Sequence, residues 1–92
     1  MIINLVKGDT ELRFKSSYKA GEILILCDTS NGDLEINLLD ATGGEMTLPF
    51  KVKGGGTVFL TPLIGQYIDE EDTLEVTDKV TLKSDLHDWW VI

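Results

Sequence analysis

The chain has 92 residues, of which 42% are hydrophobic and 26% charged, and its formal net charge is −8. That length fits one domain, and that composition excludes disordered and collagen-like chains. The acidic balance sets the surface against phosphate backbones, so no nucleic-acid partner is expected. The longest apolar runs, such as residues 23–27, fall far below the ~20 residues of a membrane-spanning helix, so no membrane insertion is expected either.

The first residues, Met1-Ile2-Ile3-Asn4, show neither the basic stretch nor the small-residue cleavage site of a secretory leader, and cytoplasmic synthesis is expected. Residues 2–6 and 12–14 are short apolar runs that can pair across Gly8-Asp9. The alternative is that residues 1–20 form an arm that anchors the domain to a neighbour or swaps onto it. Residues 22–28 follow as a strand with an unusual property. Ile23, Ile25 and Cys27 face one side and Leu24 and Leu26 the other, so both faces are apolar. Such a strand has to be covered on both faces. Cys27 is the single cysteine, which rules out an intramolecular disulfide, and its place in an apolar run makes it a small buried hydrophobe.

Asn31-Gly32 separates that strand from the alternating run 34–39, and Asn-Gly favours the positive φ of a hairpin turn. After Gly43-Gly44, Met46, Leu48, Phe50 and Val52 interleave with Thr47, Pro49, Lys51 and Lys53, the pattern of a half-buried strand. Pro49 has no N–H for a ladder, so this stretch is expected at a sheet edge or with a bulge. Gly54-Gly55-Gly56 is a second hairpin signal, joining 46–53 to 57–61. Leu74 and Val76 alternate around Glu75, and Val80 and Leu82 around Thr81. At the end of the chain Trp89 and Val91 face one side while Trp90 and Ile92 face the other, a second strand apolar on both faces.

No window carries the 3.6-residue period of a helix, and turn residues recur about every ten positions. These features predict an all-β fold: a small antiparallel, hairpin-rich β-sandwich or jelly-roll-like domain spanning residues 1–92. Two layers of this size leave little material for a third, so a further copy of the chain is the expected second cover, with a loop or the N-terminal segment as the alternative. Leu24, Leu26, Trp90 and Ile92 are the candidate oligomer-interface residues.

The chain's reactive side chains do not assemble into a recognisable centre. Ser84, Asp85, His87 and Asp88 hold every residue type of a hydrolase triad, but they crowd into one turn instead of converging from separate elements. Asp69-Glu70-Glu71-Asp72 lacks the alternating ligands and central glycine of a calcium loop. Gly54-Gly55-Gly56 is not followed by a helix or a Gly-Lys-Ser ending, so it is no phosphate loop. One histidine and one cysteine cannot build a zinc site. No catalytic, cofactor or metal residue is expected, and the chain reads as a non-enzyme. Tyr67 and Trp90 are the candidates for stacking on a sugar ring, in a carbohydrate-binding alternative.

Taken in order, residues 21–92 resemble a β module that recurs in tailed-phage fibre, spike and head-appendage proteins. The matching features begin with the apolar strand 23–28 ending in Asp28, the alternating run 34–39 and Lys51-Val52-Lys53. They continue with residues 55–60, Pro62 and the Gly65–Asp69 corner, and close with Val80-Thr81-Leu82, Ser84-Asp85 and Trp90-Val91-Ile92. The chain departs from that module in having only some twenty residues upstream, and Leu48-Pro49 falls after Gly43-Gly44. The resemblance implies a homotrimeric virion protein with no catalytic residues, partnered by capsid or tail proteins. The short upstream segment points to a decoration or appendage subunit rather than a fibre shaft. Contact with a host-surface glycan, or a cellular protein-interaction role, are the other expectations.

Overall fold

The computed structural model describes residues 2–12 and 23–92. Among the described residues are eight strands: β1 (Ile2–Leu5), β2 (Leu24–Asp28), β3 (Leu34–Asn37), β4 (Thr47–Lys53), β5 (Val58–Thr61), β6 (Leu74–Val76), β7 (Lys79–Ser84) and β8 (Trp89–Val91). A 3-10 turn, Ala41–Gly43, is capped by Asp40, whose side chain accepts from the Thr42 amide. The large sheet has the order β1-β2-β4-β7-β8 and the small sheet β3-β5-β6.

The all-β expectation holds, but the sheets are mixed rather than antiparallel. β1 pairs with β2, β2 with β4, and β3 with β5, all parallel. β4–β7, β5–β6 and β7–β8 are antiparallel. Neither Asn31-Gly32 nor Gly54-Gly55-Gly56 closes a hairpin, because each carries the chain from a strand of the large sheet to one of the small sheet. The pairing expected across Gly8-Asp9 is likewise replaced. β1 joins β2, while Glu11 forms a parallel bridge with Asn37 beside β3, and residues 13 and 14 lie outside the described residues. The chain therefore winds, laying each pass beside the previous one: large sheet, small sheet, large sheet again.

Hydrogen bonds between successive corners hold this winding together. The Thr29 amide and hydroxyl both donate to the Lys53 carbonyl, at 2.9 and 2.8 Å, and the hydroxyl oxygen accepts from the Gly56 amide at 2.9 Å. Asp33 accepts from the Thr57 amide at 2.8 Å, and the Leu34 amide donates to the Thr57 carbonyl at 3.1 Å. Glycine is needed where the corners touch. Gly54 has φ +91°, and a Cβ there would lie 2.8 Å from the Thr29 hydroxyl and 2.9 Å from the Ser30 amide nitrogen.

Pro49 also departs from expectation: β4 is the central strand of the large sheet. The reason is the direction of one missing donor. The Val52 amide donates to Asp78, next to β7, and amides alternate in direction along a strand, so the Pro49 nitrogen faces β2. The β2–β4 ladder begins only at Ile25 opposite Phe50, one position beyond the proline. No ladder bond is lost.

Both sheets turn one face to a common core. Ile25, Cys27, Leu48, Phe50, Leu82 and Trp89 contribute from the large sheet, and Leu34, Ile36, Val58 and Leu60 from the small one. Burying each such side chain stabilises the fold by roughly 1.5–3 kcal/mol relative to exposure. Leu12 also belongs to this core.

Candidate functional site

Alternation along the strands assigns the outward face of the large sheet residue by residue. Ile2 lies opposite Leu24, and Asn4 opposite Leu26. Leu26 lies opposite Lys51, Lys51 opposite Lys79, and Pro49 opposite Thr81. Lys83 lies opposite Trp90, and the Ile92 amide donates to the Thr81 carbonyl at 3.0 Å, continuing the last strand. The four residues expected at an oligomer interface therefore share one face. Leu24 and Leu26 are half-buried, while Trp90 is 36% and Ile92 68% exposed. Ile2, 56% exposed, extends the same apolar lane to the far edge. Trp89 points inward and is fully buried, with no hydrogen-bond partner for its indole N–H among the described residues.

The lane is bordered by cations. Lys51, Lys53, Lys79 and Lys83 all project from this face and are exposed. Lys53 approaches Asp28 at 3.7 Å, the one ion pair among the described residues. Hydrogen bonds from Ser30 hold the Asp28 carboxyl below its ordinary value, with the nearby Lys53 charge a smaller cause.

The outward face of the small sheet has the opposite character. Glu35, Phe59 and Glu75 form one cross-strand row, and Glu11 stands beside Asn37 at the edge. Phe59 is half-buried in a shallow depression of about 310 Å³, lined also by Thr10, Asn37, Thr61 and Thr73.

Trp90 is oriented by the turn that precedes it. Its indole N–H donates to one oxygen of Asp85 at 2.8 Å, and the other oxygen accepts from the amides of Asp88 and His87 at 2.8 and 2.9 Å. The Asp88 amide, then the indole, then the His87 amide hold the Asp85 carboxyl down at about 2. Tyr67, 44% exposed, sits at the same edge of the large sheet. Its amide donates to Asp88 and its carbonyl accepts from Trp89, both at 2.9 Å.

The remaining candidates are occupied by structural bonds. Ser84 is buried, and its hydroxyl lies 2.9 Å from the Ala41 carbonyl and 3.0 Å from that of Gly44, donating into them. Together with Asp85, His87 and Asp88 it builds the β7–β8 turn. Asp69 accepts from the Val91 amide at 2.9 Å, and the backbone of Ile68 and Glu71 closes a tight turn around Asp69 and Glu70. Among the described residues no three His, Cys, Asp or Glu side chains converge as metal ligands. Cys27 is buried, and burial pushes its thiol up to about 11, far from thiolate chemistry at neutral pH.

Sequence reasoning missed the lysine row and the glutamate face. The signal was present in part: Lys51 and Lys53, like Lys79 and Lys83, stand two apart and so share a face of their own strand. Only the β4–β7 pairing puts the two sets side by side. No family model matches the chain, and no curated protein or solved structure matches it either.

Proposed function

We propose that the chain is a non-enzymatic structural subunit whose assembly surface is the outward face of the large sheet. One observation carries this reading: Ile2, Leu24, Leu26, Trp90 and Ile92 lie on a single surface, although they come from three strands at the two ends of the sequence. They stand at the two edges of that surface with the lysines of β4 and β7 between them, and exposed apolar side chains concentrated on one face mark an interaction site. The two sheets around one core are read as the layers of a small sandwich. The setting is a tailed-phage particle, with the chain a homotrimeric capsid-decoration or head or tail appendage protein. That part rests on the resemblance carried by Val80-Thr81-Leu82, Ser84-Asp85 and Trp90-Val91-Ile92.

Light scattering at micromolar concentration tests the assembly claim. The wild-type chain is expected as a trimer, and the Leu26→Glu, Ile92→Glu double variant as a folded monomer by circular dichroism. A monomeric wild type overturns the reading. Electron images of particles carrying the tagged chain test the virion setting, and a chain found off the particle removes it.

A second reading, contact with a host-surface carbohydrate, is favoured by the edge where Trp90 is held by Asp85 beside the Tyr67 segment. A partly exposed ring fixed in orientation suits stacking on a sugar. A glycan array without binding removes this reading.

A further inference from the structure

Resting on the assembly role proposed above, we infer that copies of this chain join heterologously, the lysine-bordered face of one large sheet docking on the glutamate-bearing face of the next copy's small sheet. The warrant is the division of charge over the molecule. Five cationic side chains belong to the described residues, and all but Lys7 stand on the outward large-sheet face. The outward small-sheet face holds Glu11, Glu35 and Glu75; β3, β5 and β6 contribute no lysine or arginine to it, and Lys7 alone of the described cations reaches its rim, beside Glu35 and Phe59. Each sheet gives its inner face to the shared core, so the two outward faces lie on different sides of the molecule.

That distribution disfavours a two-fold contact through either face. Two large-sheet faces would set Lys51 and Lys79 against their own copies, and two small-sheet faces would oppose Glu35 and Glu75 to theirs. Like charges facing each other across an interface cost several kcal/mol. A contact of large sheet on small sheet instead opposes the signs and brings the apolar lane over the half-buried Phe59. Such a contact is head-to-tail, so it closes into a ring or continues as a filament according to its rotation. A three-membered ring is one closed solution.

The test uses the whole chain and two charge-reversed variants, Lys51→Glu with Lys79→Glu, and Glu35→Lys with Glu75→Lys. All four positions are exposed, and circular dichroism verifies that both variants fold. In sedimentation velocity the wild type is expected to assemble, and each variant alone to associate about tenfold more weakly or worse. An equimolar mixture of the two is expected to recover association between unlike copies, as alternating even-numbered species and not as the three-membered ring, because each then offers the face that the other needs. The chain carrying all four changes is expected to assemble by itself. About 0.5 M salt should weaken every one of these assemblies, the Debye length there being only a few ångströms. Variants that assemble like wild type, or a mixture that fails to recover, overturn the head-to-tail contact. The assembly reading survives that result if the Leu26→Glu, Ile92→Glu chain is still monomeric. A wild type that stays monomeric overturns both.

Discussion

The wound half of the molecule, β1 to β5, and the closing half, β6 to β8, are written in the same local pattern of alternating apolar residues and short turns. They pair in different ways. In the closing half the turn at Asp85–Asp88 joins neighbours, and β7 and β8 form the hairpin that such a turn suggests. In the wound half the turns at Asn31-Gly32 and Gly54-Gly55-Gly56 join strands of different sheets, and every ladder is parallel. Turn chemistry therefore tells where a chain bends and leaves open what it meets after the bend. The wound corners bond mainly to one another, through Thr29 and Asp33, whereas the Asp85 carboxylate accepts from the amides of its own turn.

Substitutions can strain this contrast, beginning with the most severe. Trp89→Ala empties the largest fully buried side chain of the closing half and should remove about 3–5 kcal/mol, a large part of the roughly 5–15 kcal/mol a domain holds. Urea unfolding monitored by far-ultraviolet dichroism reads this loss directly. In the wound half, Gly54→Ala combines backbone strain with a collision against the Thr29 corner, and about 2–4 kcal/mol should be lost. Its neighbour Gly55 has open space where a Cβ would stand, so Gly55→Ala should stay within about 0.5 kcal/mol. Equal midpoints for these two variants would mean that the corners do not touch.

Thr29→Val keeps the shape but strips the hydroxyl that serves Lys53 and Gly56. About 1–2 kcal/mol should go, because the Gly56 amide is left without its acceptor. The smallest effect belongs to Asp85 in the closing half. Its carboxyl is held at about 2, below the ordinary carboxylate value near 4. Its stabilisation is thus complete above about pH 4 and disappears as the pH falls through about 2. Thermal melts across that window should show a shallower acid limb for Asp85→Asn than for wild type, with little difference between them in slope at neutral pH.

Much of the strand content was legible from residues such as Leu34, Ile36, Phe50, Val52 and Leu82, whose alternation matches the observed burial. That Leu24 goes with Leu26, and Trp90 with Ile92, was legible for the same reason, but that the two pairs share a face follows only from the strand order. Partner choice was not. Asn-Gly fits a hairpin turn and a corner equally well, and Pro49 is excluded from a central strand only if its missing donor faces a ladder. One signal of the winding lies in the sequence nonetheless. Gly8-Asp9-Thr10-Glu11-Leu12, Gly32-Asp33-Leu34-Glu35-Ile36 and Gly56-Thr57-Val58-Phe59-Leu60 stand at equal intervals, an internal period that marks successive passes of a wound chain. The charged faces needed more, because Lys51 meets Lys79, and Glu35 shares a row with Glu75, only after the strands are ordered.

The winding also governs how the molecule is made. Ile2 meets Leu24, Ile25 meets Phe50 and Leu34 meets Val58, so each parallel ladder waits for a loop of some two dozen residues to close. Such closures are entropically opposed before any contact rewards them, and topologies rich in distant pairings fold in roughly milliseconds to seconds. A chain emerging from the ribosome cannot complete the β2–β4 ladder until Lys53 has been synthesised. Until then the apolar residues of β2 have only β1 beside them in the sheet. The order of synthesis, more than any local preference, sets when this subunit first acquires a face to offer another copy.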